Sequence, residues 1–250
     1  MGTESRLPRG RAALLVCKGL LACGAPLDFR IRGERVRTVP AWQRYAVNKL
    51  RQVLRIGGSP CSGKSSIAHV LAANHGFALY SCDDAFERHA AAITAMHGPT
   101  LKKVTTWSVA QRLAQPVEVQ VADTLQLYRE EFPLITVALR VPLVVEGAAL
   151  LPELLAGLRI PVDRAVRIVP ALEFQVAHYT QRTWAQELVH ETPDTRRLIR
   201  TRRFDSGCKF AAAVADQARA LGYRVVVTDD SRSVQDTAEE VYTLFDQTTR

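Results

Sequence analysis

The stretch Gly58-Ser59-Pro60-Cys61-Ser62-Gly63-Lys64-Ser65 has the form G-x-x-x-x-G-K-[ST]. Its spacing has a mechanical reason. Glycines let the backbone turn tightly enough to aim successive N–H groups at a phosphate chain. Lys64 then reaches the β/γ-phosphates, and the Ser65 hydroxyl ligates the Mg²⁺ that accompanies them. The expected nucleotide-binding segment is this octet together with Ser66. Upstream, Val53-Leu54-Arg55-Ile56 reads as a short strand whose apolar run is broken by Arg55. Downstream, Ile67, Val70 and Leu71 recur at helical spacing before a stop at His75-Gly76. Strand, glycine loop, helix is the order that seats phosphate on a helix N-terminus.

Working outward, the chain of 250 residues with 47% hydrophobic content can bury a proper core, as one α/β domain with an appendage. No apolar stretch reaches the roughly 18 residues that span a bilayer. Five cysteines, without metal-ligand spacing, fit a reducing, cytoplasmic setting better than a disulfide scaffold. The net charge of +8 is unevenly placed. Residues 1–52 carry 11 basic groups against Glu4, Asp28 and Glu34, so 11 − 3 accounts for the whole surplus of +8. The high pI belongs to this arm, and the remainder is balanced.

From Arg51 onward, strand-like and helix-like segments alternate, the pattern of a parallel sheet covered on both faces. Strands are expected at 53–57, 77–82, 143–146, 165–169 and 224–228. A helix is expected at 116–132, with Val117, Val121, Leu125 and Tyr128 as its apolar stripe. Another is expected at 236–245, through Ala238, Val241, Tyr242 and Phe245. Within the arm, 29–39 alternates like a small hairpin, and 41–52 suits a helix. Leu20-Leu21-Ala22-Cys23 has the outline of a lipoprotein cleavage box, but Lys18 spoils the apolar run before it. The organisation expected is therefore a basic extension over 1–50 and a catalytic domain over 51–250.

The second strand runs into Asp83-Asp84, and strand C-termini form the ligand crevice of such sheets. One carboxylate would organise Mg²⁺ through water while the other accepts a proton from an attacking hydroxyl. A purely structural role, capping the next helix, suits the same residues. The strand over 143–146 also closes on an acid, Glu146, followed by Gly147.

These features together resemble the small P-loop phosphotransferases: uridine kinase, shikimate and gluconate kinases, chloramphenicol phosphotransferase and the nucleoside monophosphate kinases. The resemblance runs from about Arg51 to Phe245. It implies a doubly wound parallel sheet of about five strands with a helical lid, and transfer of the γ-phosphoryl of ATP, with Mg²⁺, to a small-molecule hydroxyl or phosphate. The segment Cys82-Asp83-Asp84-Ala85-Phe86-Glu87-Arg88 is similar to the acid-plus-aromatic segment of uridine kinases. Matching them places Asp84 at the acceptor hydroxyl and Asp83 on the metal side, with the two roles exchangeable. Glu146-Gly147 resembles the pair that closes the third strand of nucleoside and cytidylate kinases, implying a contact with substrate or with the metal's water shell.

Kinases of this group close an arginine-bearing lid over the transferred group, where guanidinium forks neutralise developing charge. Residues 175–204 suit that lid. Arg182, Arg196 and Arg200 are its candidate catalytic residues, and Arg196, Arg200 and Arg203 share one helix face. A solvated basic face is the plainer account of the same run. Trp107, Tyr128 and Trp184 are candidates for an acceptor pocket. Two other functions fit the loop: a regulatory ATPase, and a nucleic-acid end kinase, each using the basic arm as a partner surface. The body offers no RNA-binding motif to favour the latter.

Overall fold

The computed structural model describes residues 28–31, 34–37, 53–93, 98–137, 143–179, 202 and 204–246. Two short strands come first, β1 (Asp28–Ile31) and β2 (Glu34–Arg37), paired antiparallel with Phe29 opposite Val36. This is the small hairpin anticipated in the arm. The helix expected at 41–52 and the cysteine box lie outside the described residues.

The body is built on five strands: β3 (Val53–Gly58), β4 (Ala78–Ser81), β5 (Leu143–Glu146), β6 (Ala165–Pro170) and β7 (Arg224–Thr228). They form one all-parallel sheet in the order β4-β5-β3-β6-β7. All five coincide with the expected strands to within a residue at either end. Central β3 and β5 are buried along their whole length, whereas edge strands β4 and β7 are partly exposed. Burial on both faces is why their sequences are continuous apolar runs instead of alternating ones.

Nine described helices surround the sheet: α1 (Lys64–His75), α2 (Cys82–Ala92), α3 (Pro99–Thr106), α4 (Val109–Ala114), α5 (Val117–Val137), α6 (Pro152–Gly157), α7 (Leu172–Tyr179), α8 (Phe204–Ala220) and α9 (Val234–Asp246). The period-two alternation of the strands sends side chains to two cores. Leu54, Ile56, Val144, Val166 and Ile168 pack on Ile67 and Leu71 of α1 and on Ala238, Val241 and Phe245 of α9. Val53, Val145, Ala165 and Tyr223 pack on Phe132 and Ile135 of α5, Leu155 of α6 and Ala218 of α8. Ala148, Leu151, Phe210 and Val214 make a third, smaller cluster.

Two expectations shift. On α5 the fully buried positions are Leu127, Glu131, Phe132 and Ile135, while Val117, Val121, Leu125 and Tyr128 are only half-buried. Arg55 does not interrupt its strand: it is buried, and its Nη1 donates to the Val53 carbonyl at 2.7 Å. Arg167, on neighbouring β6, is completely buried and lies over the Tyr223 ring at 5.5 Å. Burial pulls both guanidiniums down, Arg55 to about 10 and Arg167 to about 9, with Tyr223 acting in the opposite sense. No described helix is long and apolar enough to cross a membrane.

Candidate active site

Strand β3 starts the loop by running into Gly58, whose φ of 137° belongs to glycine. A Cβ there would fall 1.9 Å from the carbonyl oxygen of Ile168, so the loop can hug β6 only without a side chain. Ser59 N–H then donates to that same carbonyl at 3.2 Å. Within the loop, Ser62 Oγ donates to Ser59 O at 2.9 Å. Thr228, the last residue of β7, donates from Oγ1 to Ser62 O at 3.0 Å and ties the loop to the far side of the sheet. Gly63, at φ 73°, caps α1 in the left-handed conformation. The loop is therefore held from three strands before any ligand arrives.

Lys64 and Ser65 open α1. Lys64 is buried, and its Nζ stands 3.8 Å from Asp83 Oδ2. Ser65 Oγ donates to Glu146 Oε2 at 3.2 Å. Glu146 ends β5 and is itself buried. Serine hydroxyl and carboxylate are the hard oxygen donors a Mg²⁺ ion takes in phosphate sites. The pair therefore fits the metal side of the site, and Glu146 is not among the residues that line the adjoining cavity.

The two aspartates separate. Strand β4 stops at Ser81, and α2 begins at Cys82, so Asp83 and Asp84 occupy its first helical turn. The helix cap is Ser81, whose Oγ accepts from the Asp84 N–H at 3.2 Å; neither aspartate does that work. Asp83 faces Lys64 and lines a cavity of about 500 Å³, whereas Asp84 does not line it.

That cavity extends from Pro60, Cys61 and Lys64 to a wall built largely by α5, whose Gln120, Asp123, Thr124, Leu127, Tyr128 and Glu131 all line it. The spacing of three and four residues puts them on one helix face. Phe86 of α2, Leu113 of α4 and Phe210 of α8 add apolar surface. Lys103 of α3 also faces in, but its Nζ is engaged by Asp123 Oδ2 at 2.6 Å and lies 4.6 Å over the Trp107 ring.

Deep in this wall, Glu131 Oε1 and His89 Nδ1 share a hydrogen bond at 2.7 Å, and Tyr80 OH lies 2.9 Å from His89 Nε2. Burial, reinforced by the Asp83 charge, pushes the Glu131 carboxyl up to about 7. Burial, with Arg88 adding to it, lowers His89. Both shifts favour uncharged groups inside the wall.

The lid arginines Arg182, Arg196 and Arg200, with Arg203 and Trp184, lie outside the described residues. Arg202 is described: it donates to the carbonyls of Leu113 and Ala114 at 3.3 and 2.8 Å, finishing the end of α4. Of the α5 face, Tyr128 was anticipated as a pocket residue and does line the cavity, whereas Trp107 does not; Glu131, His89, Tyr80 and the rest of that face were not anticipated from sequence. The available signal was a polar stripe at 120, 123, 124 and 131 running alongside the apolar one.

No family model matches this sequence, and no curated protein matches it significantly. Solved structures similar to it include two that carry kinase descriptions. Shikimate kinase from Acinetobacter baumannii in complex with shikimate is 14% identical, with a TM-score of 0.45 over 77% of this chain and 91% of that one. A protein of Chloroflexus aurantiacus J-10-fl, assigned without a stated substrate to the kinases, is 17% identical, with a TM-score of 0.37 over 76% and 96%. The class of fold rests on the chain's own topology. A five-stranded parallel sheet with the phosphate loop leaving its central strand is the P-loop kinase fold.

Proposed function

We propose that this protein is a phosphotransferase that moves the γ-phosphoryl of Mg-ATP to a hydroxyl of a small-molecule acceptor. The observation that carries this reading is the meeting of Lys64 and Asp83 in the lining of one cavity. A phosphate-binding cation, an acid and a cavity large enough for a small acceptor converge on one point. Hydrolysis of a phosphate by water needs no such wall of side chains beyond the loop.

In this reading the loop N–H groups and Lys64 hold the phosphate chain. Ser65, with Glu146 behind it, would hold Mg²⁺, which would supply neutralisation of phosphate charge when bound. The acceptor hydroxyl lies in the cavity against Asp83. Its oxygen forms the new bond to Pγ as the bond from Pγ to the bridging oxygen breaks, and ADP leaves. The hydroxyl proton passes to the Asp83 carboxylate. Asp83, and not Asp84, is thus the acceptor-side acid, an exchange of the roles expected from sequence. The arginines of 175–204 remain candidates for the lid.

The test is a pair of variants assayed with saturating Mg-ATP. Asp83→Asn should lower turnover by roughly 10²–10⁴ with nucleotide affinity held within a few fold. Asp84→Asn should stay close to wild type. A larger loss from Asp84→Asn would contradict the assignment.

A further inference from the structure

The nucleotide-handling groups leave one part of the cavity unexplained. Glu131 is 1% exposed and belongs to the cavity wall. Three separate elements fix it: α5 carries it, His89 of α2 holds its Oε1, and Tyr80 of β4 holds His89 from behind. Among the described residues no hydrogen bond engages Oε2. A buried carboxyl with one oxygen anchored, on a residue that lines a cavity, suits a recognition group set in a rigid shell. Nothing in the transfer step at Lys64 and Asp83 uses it.

The charges around it restrict what it recognises. Lining cations are Lys64, Lys103 and Arg112, and lining acids are Asp83, Asp123 and Glu131. Lys64 belongs to the nucleotide phosphates. Lys103 is tied to Asp123 and Trp107, and Arg112 is engaged in interactions of its own. Asp83 and Glu131 therefore dominate the acceptor end. The Asp83 carboxylate disfavours a phosphate or a carboxylate there, while Glu131, which burial and the Asp83 charge hold toward its neutral form, exchanges hydrogen bonds with hydroxyl or amine groups. Around them, Tyr128 and Phe210 meet edge to face at 5.8 Å, and Leu127 and Phe86 add apolar surface against which the C–H faces of a ring can lie.

Resting on the kinase reading, we propose that Glu131 is the acceptor-recognition residue. The acceptor is an uncharged or cationic polyhydroxylated ring, a sugar, cyclitol or aminocyclitol. One hydroxyl faces Asp83 and reacts; a second hydroxyl or an amine hydrogen-bonds with Glu131 Oε2. His89 and Tyr80 are positioning residues that fix the carboxyl plane. An acceptor without the second donor would leave a buried oxygen unpaired, a defect that discriminates by about 10³-fold or more in kcat/KM.

The test uses the full chain with Mg-ATP and two probe sets. Uridine, myo-inositol and streptamine represent the proposed class; cytidine monophosphate, gluconate and shikimate are anionic acceptors. Radiolabelled γ-phosphoryl should appear on a member of the first set. With that acceptor, Glu131→Gln should raise KM roughly tenfold while kcat stays within a few fold, because the amide oxygen still accepts. Glu131→Leu should raise KM far more, while its thermal melt shows a folded protein. If the leucine variant does not fold, the KM-against-kcat split of Glu131→Gln decides. Preferred transfer to an anionic probe, transfer to none of the six, or an unchanged KM in the variants overturns the proposal. Absence of Mg-ATP binding to the wild type would instead remove the kinase reading on which it rests.

Discussion

Ser65 Oγ donates to Glu146 Oε2 at 3.2 Å, joining the first turn of α1 to the end of β5 across 81 positions of chain. The contact brings a loop hydroxyl and a buried carboxylate to the same place. Groups that orient a metal ligand are worth roughly 10–100-fold in metal affinity. Glu146→Gln should therefore leave the fold intact and raise the Mg²⁺ concentration for half-maximal nucleotide binding by about that factor. A magnesium titration at fixed ATP measures it, and an unchanged midpoint would remove Glu146 from the metal side.

The loop backbone makes two opposite demands. At Gly58 a methyl group meets the Ile168 carbonyl at 1.9 Å, and φ is 137°. Gly58→Ala should cost more than about 4 kcal/mol or prevent folding. Cys61 holds a left-handed φ of 62° with a side chain in place. Cys61→Gly should relieve strain of about 1 kcal/mol. Urea midpoints for the two variants should move in opposite directions.

Glu131 links stability to pH. Its carboxyl titrates at 4.5 when unfolded and at about 7 when folded. Between those values the folded protein keeps a proton that the unfolded chain has lost. Stability from this group is therefore full below 4.5 and lost as pH rises through about 7. His89, lowered by burial, acts in the opposite sense, losing stability as pH falls below 6.5. Comparing wild type with Glu131→Gln isolates the carboxyl. The variant should gain on wild type as pH rises across that interval, and then level off. A gap that narrows over the same interval would contradict the burial argument.

Arg167 is fully buried, and among the described residues its Nε and Nη2 have no hydrogen-bond partner, while Nη1 donates to Val166 O at 2.8 Å. A buried charge without a carboxylate is costly, and replacement by a well-packed apolar side chain of similar length is often stabilising. Arg167→Met should raise stability by about 1–4 kcal/mol in urea unfolding. A loss of stability would show that the Tyr223 contact and the Val166 bond outweigh desolvation.

The phosphate loop was legible because its information is contiguous: eight neighbouring residues fix a turn, a cation and a hydroxyl. The central strands were legible because burial on both faces turns them into largely apolar runs ended by polar residues or glycine. Arg55 and Arg167 defeat that rule, since buried arginines in a central sheet run against every composition preference. The separation of Asp83 from Asp84 depends on where α2 starts, and a one-residue difference on a helix turns a side chain by about 100°. The His89–Glu131 pair lies 42 positions apart, beyond any local pattern. The α5 face was hidden because its polar stripe reads as a solvated surface until α2, α4 and α8 are placed opposite it.

The central claim is transfer of a phosphoryl group to an organic acceptor. Phosphorus NMR of the wild type with Mg-ATP and a panel of hydroxylated metabolites follows the γ-phosphoryl directly. The account predicts that the ATP γ resonance is replaced by a phosphoester resonance that depends on one acceptor, with ADP formed in equal amount and the signal absent for Lys64→Ala. Accumulation of orthophosphate alone, whatever the acceptor, would contradict it and make the protein an ATPase.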